Sequence, residues 1–136
     1  MSELFGAVRR VMRAMGVLVL CAPHLVGGQE TQGITPAEML SLPEYCRARY
    51  GNDQALKGRW NAQMGTQHFL HVHHYCSGLN FMRRSSAAVD SAKRRYALEQ
   101  AINEFGYVLR NWPPEFQLYA QAQQQQKMAR TLLGKP

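Results

Sequence analysis

Between Phe69 and Trp112 the apolar residues recur at helical spacing, and the run closes on two consecutive prolines. Phe69, Val72, Cys76 and Leu79 fall three, four and three apart, one stripe along one helix face, with Tyr75 and Met82 widening it. Leu98, Ile102, Phe105, Leu109 and Trp112 form a second stripe, flanked by Ala97, Ala101 and Val108. Pro113 and Pro114 end it, because proline lacks an amide hydrogen and its ring clashes with the preceding turn. No strand-like alternation competes. The fold class expected is all-α: a short helical bundle of hairpins carrying one disulfide.

Local signals place the other elements. Thr35 and Glu38, with Pro36 at the first helical position, form a capping box. Ser41 and Glu44 repeat the spacing, so the sequence predicts one helical turn, a break at Pro43, and a helix to Tyr50 that carries Cys46. Residues 51–65 contain three glycines and show no period, though Leu56 and Trp60 could dock on a core. A helix is expected from Thr66 to Met82, then a polar turn over 83–91, a helix over 91–111, and a last helix over 114–133.

The first 28 residues read as a secretory signal: Arg9, Arg10 and Arg13 precede the apolar stretch 14–23, and Val26 and Gly28 suit cleavage before Gln29. Cys21 is a poor lipoprotein site, since Leu20 stands where a small residue is wanted. An uncleaved anchoring helix is the alternative. Cleavage leaves Cys46 and Cys76, an even number in an oxidising compartment, expected to pair. The domain division expected is 1–28 signal, 29–65 lead-in and capping helix, and 66–136 helical domain. The localisation expected is periplasmic or secreted.

Removing 1–28 takes away Arg9, Arg10, Arg13 and Glu3, leaving 13 basic and 8 acidic residues. Export sets nucleic acid aside as a partner, and the basic residues are scattered apart from Arg83, Arg84 and the run Lys93, Arg94 and Arg95. These read as a solvated turn. No apolar run reaches the ~18 residues of a confident spanning helix, so no stable membrane span is expected after cleavage.

Ala101, Phe105 and Pro113, with Val108 at another usually small position, resemble the second helix of a tetratricopeptide repeat, a unit of ~34 residues. In that family the small residue lets two helices approach, the aromatic fills the gap and the proline ends the unit. The preceding helix departs from the pattern: Ser85, Ala88, Val89 and Ala92 occupy the positions expected for its aromatic, Leu-Gly and Tyr residues. The helix bearing Tyr75, Gly78 and Leu79 could serve only if the turn is longer. The resemblance implies a scaffold that binds a protein partner in the bacterial cell envelope, alone or as an oligomer. Candidate contacts are Tyr75, Asn80, Asn103, Tyr107 and Arg110 on the exposed side of the two helices. The glutamine-rich stretch 121–126 would suit a polar terminal helix.

His68, His71, His73 and His74 lie within seven residues. On a helix His68, His71 and His74 stand three apart and could share a metal ion, with Glu99 or Glu104 adding a ligand. A periplasmic metal-binding or metal-delivery protein is therefore the alternative function. No established metal or haem motif accompanies the cluster, so no cofactor is called for. The sequence holds no phosphate loop or nucleophile elbow, and the acidic residues form no motif, so an enzyme is not expected.

Overall fold

The computed structural model describes residues 33–135. The signal segment, its cleavage point and Cys21 lie outside the described residues. Six helices follow in order: α1 Pro36–Met39, α2 Glu44–Tyr50, α3 Gln54–Met64, α4 Thr66–Ala87, α5 Ser91–Asn111 and α6 Tyr119–Leu132, with no strand among the described residues. The all-α fold stands. The described residues belong to one compact unit, which spans the boundary expected at 65/66.

α4 and α5 are the central hairpin, and their cross-contacts fix an antiparallel register. His68 meets Trp112, His71 meets Tyr107, His74 meets Glu104, and Phe81 meets Tyr96, so one helix ascends as the other descends. Val72, Phe105 and Val108 are fully buried along this seam, each contributing about 1.5–3 kcal/mol of apolar burial. α6 returns antiparallel along α5: Gln126 donates to the Ile102 carbonyl, and Lys135 reaches Glu99. Its buried residues are the small Ala122 and Ala129, which let the backbones approach.

α2 and α3 pack on α4. A disulfide joins Cys46 of α2 to Cys76 of α4, with Cα atoms 5.7 Å apart and both residues fully buried. Trp60 of α3 meets Tyr45 edge-on at 5.5 Å and donates its indole N–H to Glu44.

Four sequence expectations need correction. Residues 51–65 are not irregular: Asp53 caps α3 by accepting the Leu56 amide, and the helix runs until Gly65 takes a φ of +80°. Ser41 does not cap α2; its hydroxyl donates to the Glu38 carbonyl, while Glu44 turns to Arg59 and Trp60. α4 does not stop at Met82. It continues to Ala87, because Arg84 anchors its last turns to Glu38, and the turn shrinks to residues 88–90 before Asp90 caps α5. Finally, residues 113–118 are a non-helical link whose Phe116 and Leu118 are pulled into the core, so α6 begins at Tyr119. The capping box at Thr35 and Glu38 is present with both of its hydrogen bonds.

Candidate functional site

α4 carries all four clustered histidines, but the structure gives them different surroundings. His68 turns toward the helix start, where Nδ1 donates to the Met64 carbonyl at 2.9 Å and the ring stacks on Phe116 at 4.5 Å. Its own carbonyl accepts the Trp112 indole N–H. This is a packing role. His73 donates from Nδ1 to the Leu70 carbonyl, and its carbonyl accepts the Tyr50 hydroxyl at 3.0 Å. Tyr50 also bonds Ser77, tying α2 to this side of α4.

His71 and His74 face α5. Tyr107 reaches Nδ1 of His71 at 3.2 Å, and its ring lies 3.7 Å from that of His74. Nδ1 of His74 is 2.6 Å from a carboxylate oxygen of Glu104. The four side chains are half-buried and make a continuous polar and aromatic seam between the two helices. Burial is the main cause holding the His71 imidazole below its ordinary pKa, followed by the fields of His74 and His68. Burial and then His74 do the same at His73. Both therefore favour the neutral ring.

The shared metal site expected at His68, His71 and His74 is not formed. Among the described residues no group of three His, Cys, Asp or Glu side chains is arranged to hold a metal ion. The physical reason is that α5 and the 113–118 link draw His68 one way and His71 and His74 another. Of the two carboxylates considered as extra ligands, Glu104 pairs with His74 and Glu99 faces Lys135.

The expected contact residues divide. Tyr107 belongs to the seam, and Asn103 and Arg110 are exposed on α5. Tyr75 and Asn80 are not on the exposed side, as expected, but buried in the core. Tyr75 packs among Tyr45, Phe105 and Trp112 and donates to Gln121. Asn80 leaves its Oδ1 without a partner. Sequence reasoning missed the anchor between α1 and the end of α4. Arg84 donates to both Glu38 oxygens and to the Gly33 carbonyl, and this pairing, offset mainly by burial, holds the Glu38 carboxyl down at about 2.

Open grooves flank the hairpin. One of about 770 Å³ lies between α5 and α6, with Leu109, Gln123, Lys127 and Arg130 on its walls. Another of about 390 Å³ lies where α2 and α3 meet α4, with Phe69 and Leu70 between Arg49 and Lys57.

Fold and site together define a disulfide-stapled all-α domain whose central hairpin presents a histidine, tyrosine and glutamate seam. Comparison with protein-family models, curated proteins and solved structures finds no match, so the chain's own residues carry the functional reading.

Proposed function

We propose that this chain is an exported small scaffold of the bacterial cell envelope, built on hairpins similar to tetratricopeptide units, that binds another protein. The observation that carries the reading is the seam of His71, His74, Glu104 and Tyr107. Its side chains are ordered by one another, half-exposed, and offer aromatic faces and imidazole nitrogens to a partner. Interfaces favour such amphipathic rings, which bring contact area at little entropic cost. Asn103 and Arg110 stand on the same helix and extend the contact face, with Arg110 suited to a partner carboxylate. Export is supported by the Cys46–Cys76 bridge, since disulfides persist in oxidising compartments. The spacing of Ala101, Phe105 and Pro113 supports the likeness to a repeat unit.

The test is site-specific photocrosslinking in cells producing the full chain with its own amino terminus. A photoreactive residue at Asn103 should give an adduct of one discrete mass, and one at Gln63, exposed on α3, should not. No adduct at 103, or the same adducts from both positions, counts against the seam as a partner site.

A further inference from the structure

α6 sorts its side chains onto three faces. Ala122 and Ala129 turn to α5 and let the two helices sit close, with Gln126 partly buried between them. Met128 and Leu132 are exposed on one flank, beside Met82 and Ala87 of α4. The other flank carries Gln123, Gln124, Lys127 and Arg130, three to four residues apart along one strip. With Leu109 of α5 they wall the groove of about 770 Å³. Exposed apolar and cationic residues thus leave α6 on opposite sides, and the helix contains no acidic residue.

α5 adds a third cation. A Cβ at Gly106 would lie 2.9 Å from Nε2 of Gln126 and 3.3 Å from a terminal nitrogen of Arg110, so the missing side chain makes room for both groups beside the groove. Gln126 is held there by the Ile102 carbonyl. Among the described residues the side chains of Arg110, Lys127 and Arg130 form no ion pair. Of the carboxylates on neighbouring elements, Glu99 is met by Lys135, Glu104 turns to His74, and Asp90 accepts the Lys93 amide. α4 has no acidic residue, and Glu115 lies in the link ahead of α6. The field along the groove is positive.

We propose that this groove takes an extended acidic segment of another protein, whose carboxylates meet Arg110, Lys127 and Arg130. Gln123 and Gln124 suit such a guest, because a carboxamide both donates and accepts, as a peptide backbone does. Leu109 gives the groove one apolar seat. The lining from Ala120 to Thr131 runs about 16 Å along α6, the reach of about five residues of extended chain. A second copy is a poor guest, since the chain carries 16 Lys and Arg against 9 Asp and Glu. A bilayer calls for apolar side chains among the cations, whereas those of α6 stand on the opposite flank. Single-stranded nucleic acid calls for open aromatic faces, whereas Tyr107 packs on His74 and Tyr119 on the core. The inference rests on the reading of the chain as a protein-binding scaffold, and it names the chemistry of the partner.

Fluorescence anisotropy tests it, with the full, disulfide-intact chain and a labelled eight-residue peptide that alternates glutamate with leucine and glycine. The same peptide with glutamine for glutamate is the neutral probe. Arg110→Gln, Lys127→Gln and Arg130→Gln should each weaken the acidic peptide about two- to fivefold, and the triple variant about thirtyfold. Lys57→Gln, which removes the same charge from α3, should change little, and salt should weaken the parent. Unchanged circular dichroism and an intact bridge verify the fold of each variant. The proposal is overturned if the triple variant binds as tightly as the parent, or if the neutral peptide binds as well as the acidic one. It is also overturned if an oligothymidylate of equal charge binds more tightly than the peptide through the same three cations, which assigns the groove to nucleic acid. Photocrosslinking at Asn103 reports on the scaffold reading separately: an adduct there without peptide binding sinks the groove alone, and cation-dependent peptide binding without an adduct sinks the seam alone.

Discussion

The Phe105 ring fills the space that a side chain at Gly78 would need: a Cβ there would lie 2.7 Å from its Cε1 and 2.8 Å from its Cζ. Phe105 is fully buried and meets Tyr75 at 5.7 Å, so the ring has no free volume to swing into. The packing of α4 on the Phe105 ring of α5 therefore depends on the missing methyl group.

Gly78→Ala should accordingly destabilise the domain. Overpacking costs about 1–3 kcal/mol, and three ring atoms within 3 Å put this site toward the upper end. Alanine's better helix propensity offsets about 1 kcal/mol, leaving a net loss of about 1–2 kcal/mol. Gly58→Ala is the control, because a Cβ at Gly58 in exposed α3 meets nothing within 4 Å. It should stabilise by about 0.4–1 kcal/mol. Urea unfolding of the oxidised proteins compares the two, and a shift of the same sign in both would refute this account of the seam. Ala101→Leu, at a fully buried position on α5, should also destabilise.

The pairing of small and aromatic residues at Ala101 and Phe105 was legible because helix spacing places both on one face. What spacing could not supply was the number of neighbours. α4 contacts α2, α3, α5 and α6, so it buries far more than a single stripe. Tyr75 and Asn80, which a one-faced helix would leave in solvent, are enclosed for that reason, whereas Leu79 of the expected stripe is only partly buried. The length of α4 was hidden too, because Arg83, Arg84, Ser85 and Ser86 look like turn residues until Arg84 finds Glu38, distant in sequence. The seam needed that length. His74 meets Glu104 and His71 meets Tyr107 only when the turn is three residues, not nine.

The bridge between α2 and α4 closes a sequence separation of 30 residues. Chain entropy alone makes that worth about 3–4 kcal/mol. The paired substitution Cys46→Ser and Cys76→Ser should therefore lower the unfolding free energy measured in urea by that amount, and the parent under reductant should follow it. A loss below about 1 kcal/mol would mean that packing of α2 and α3, not the covalent tie, holds them to α4.

Glu38 couples α1 to the end of α4 through Arg84 and Thr35, and its carboxyl is lowered from 4.5 to about 2. A depressed carboxylate stabilises the fold above its unfolded pKa, and that contribution is lost as pH falls from about 4.5 toward about 2. Glu38→Gln preserves the length of the capping side chain but removes the negative charge that Arg84 meets there. At neutral pH it should cost about 1.5–3 kcal/mol. At pH 2 parent and variant should approach each other in stability. A difference that persists unchanged into acid would place the cost in packing and not in the ion pair.

His71 in the seam and His73 on the α2 side of α4 carry a pH signature of their own. Burial is the first cause of the lowered pKa at each, with the positive field of His74 second. In the unfolded chain both imidazoles take up protons near 6.5, before the folded ones do. Stability from these sites is therefore complete above 6.5 and falls as pH drops below it, because the unfolded state binds more protons there. His71→Gln should flatten that slope while changing stability at pH 8 little, since the exposed edge of the seam tolerates a polar replacement. Imidazole resonances in a two-dimensional NMR titration assign the effect. His71 and His73 should titrate below the free-imidazole value in the parent, and Tyr107→Ala, which opens the seam to water, should move His71 back toward it. A His71 that titrates at or above the ordinary value in the parent would show that water already reaches the ring, and the seam could not then be the ordered surface that partner binding requires.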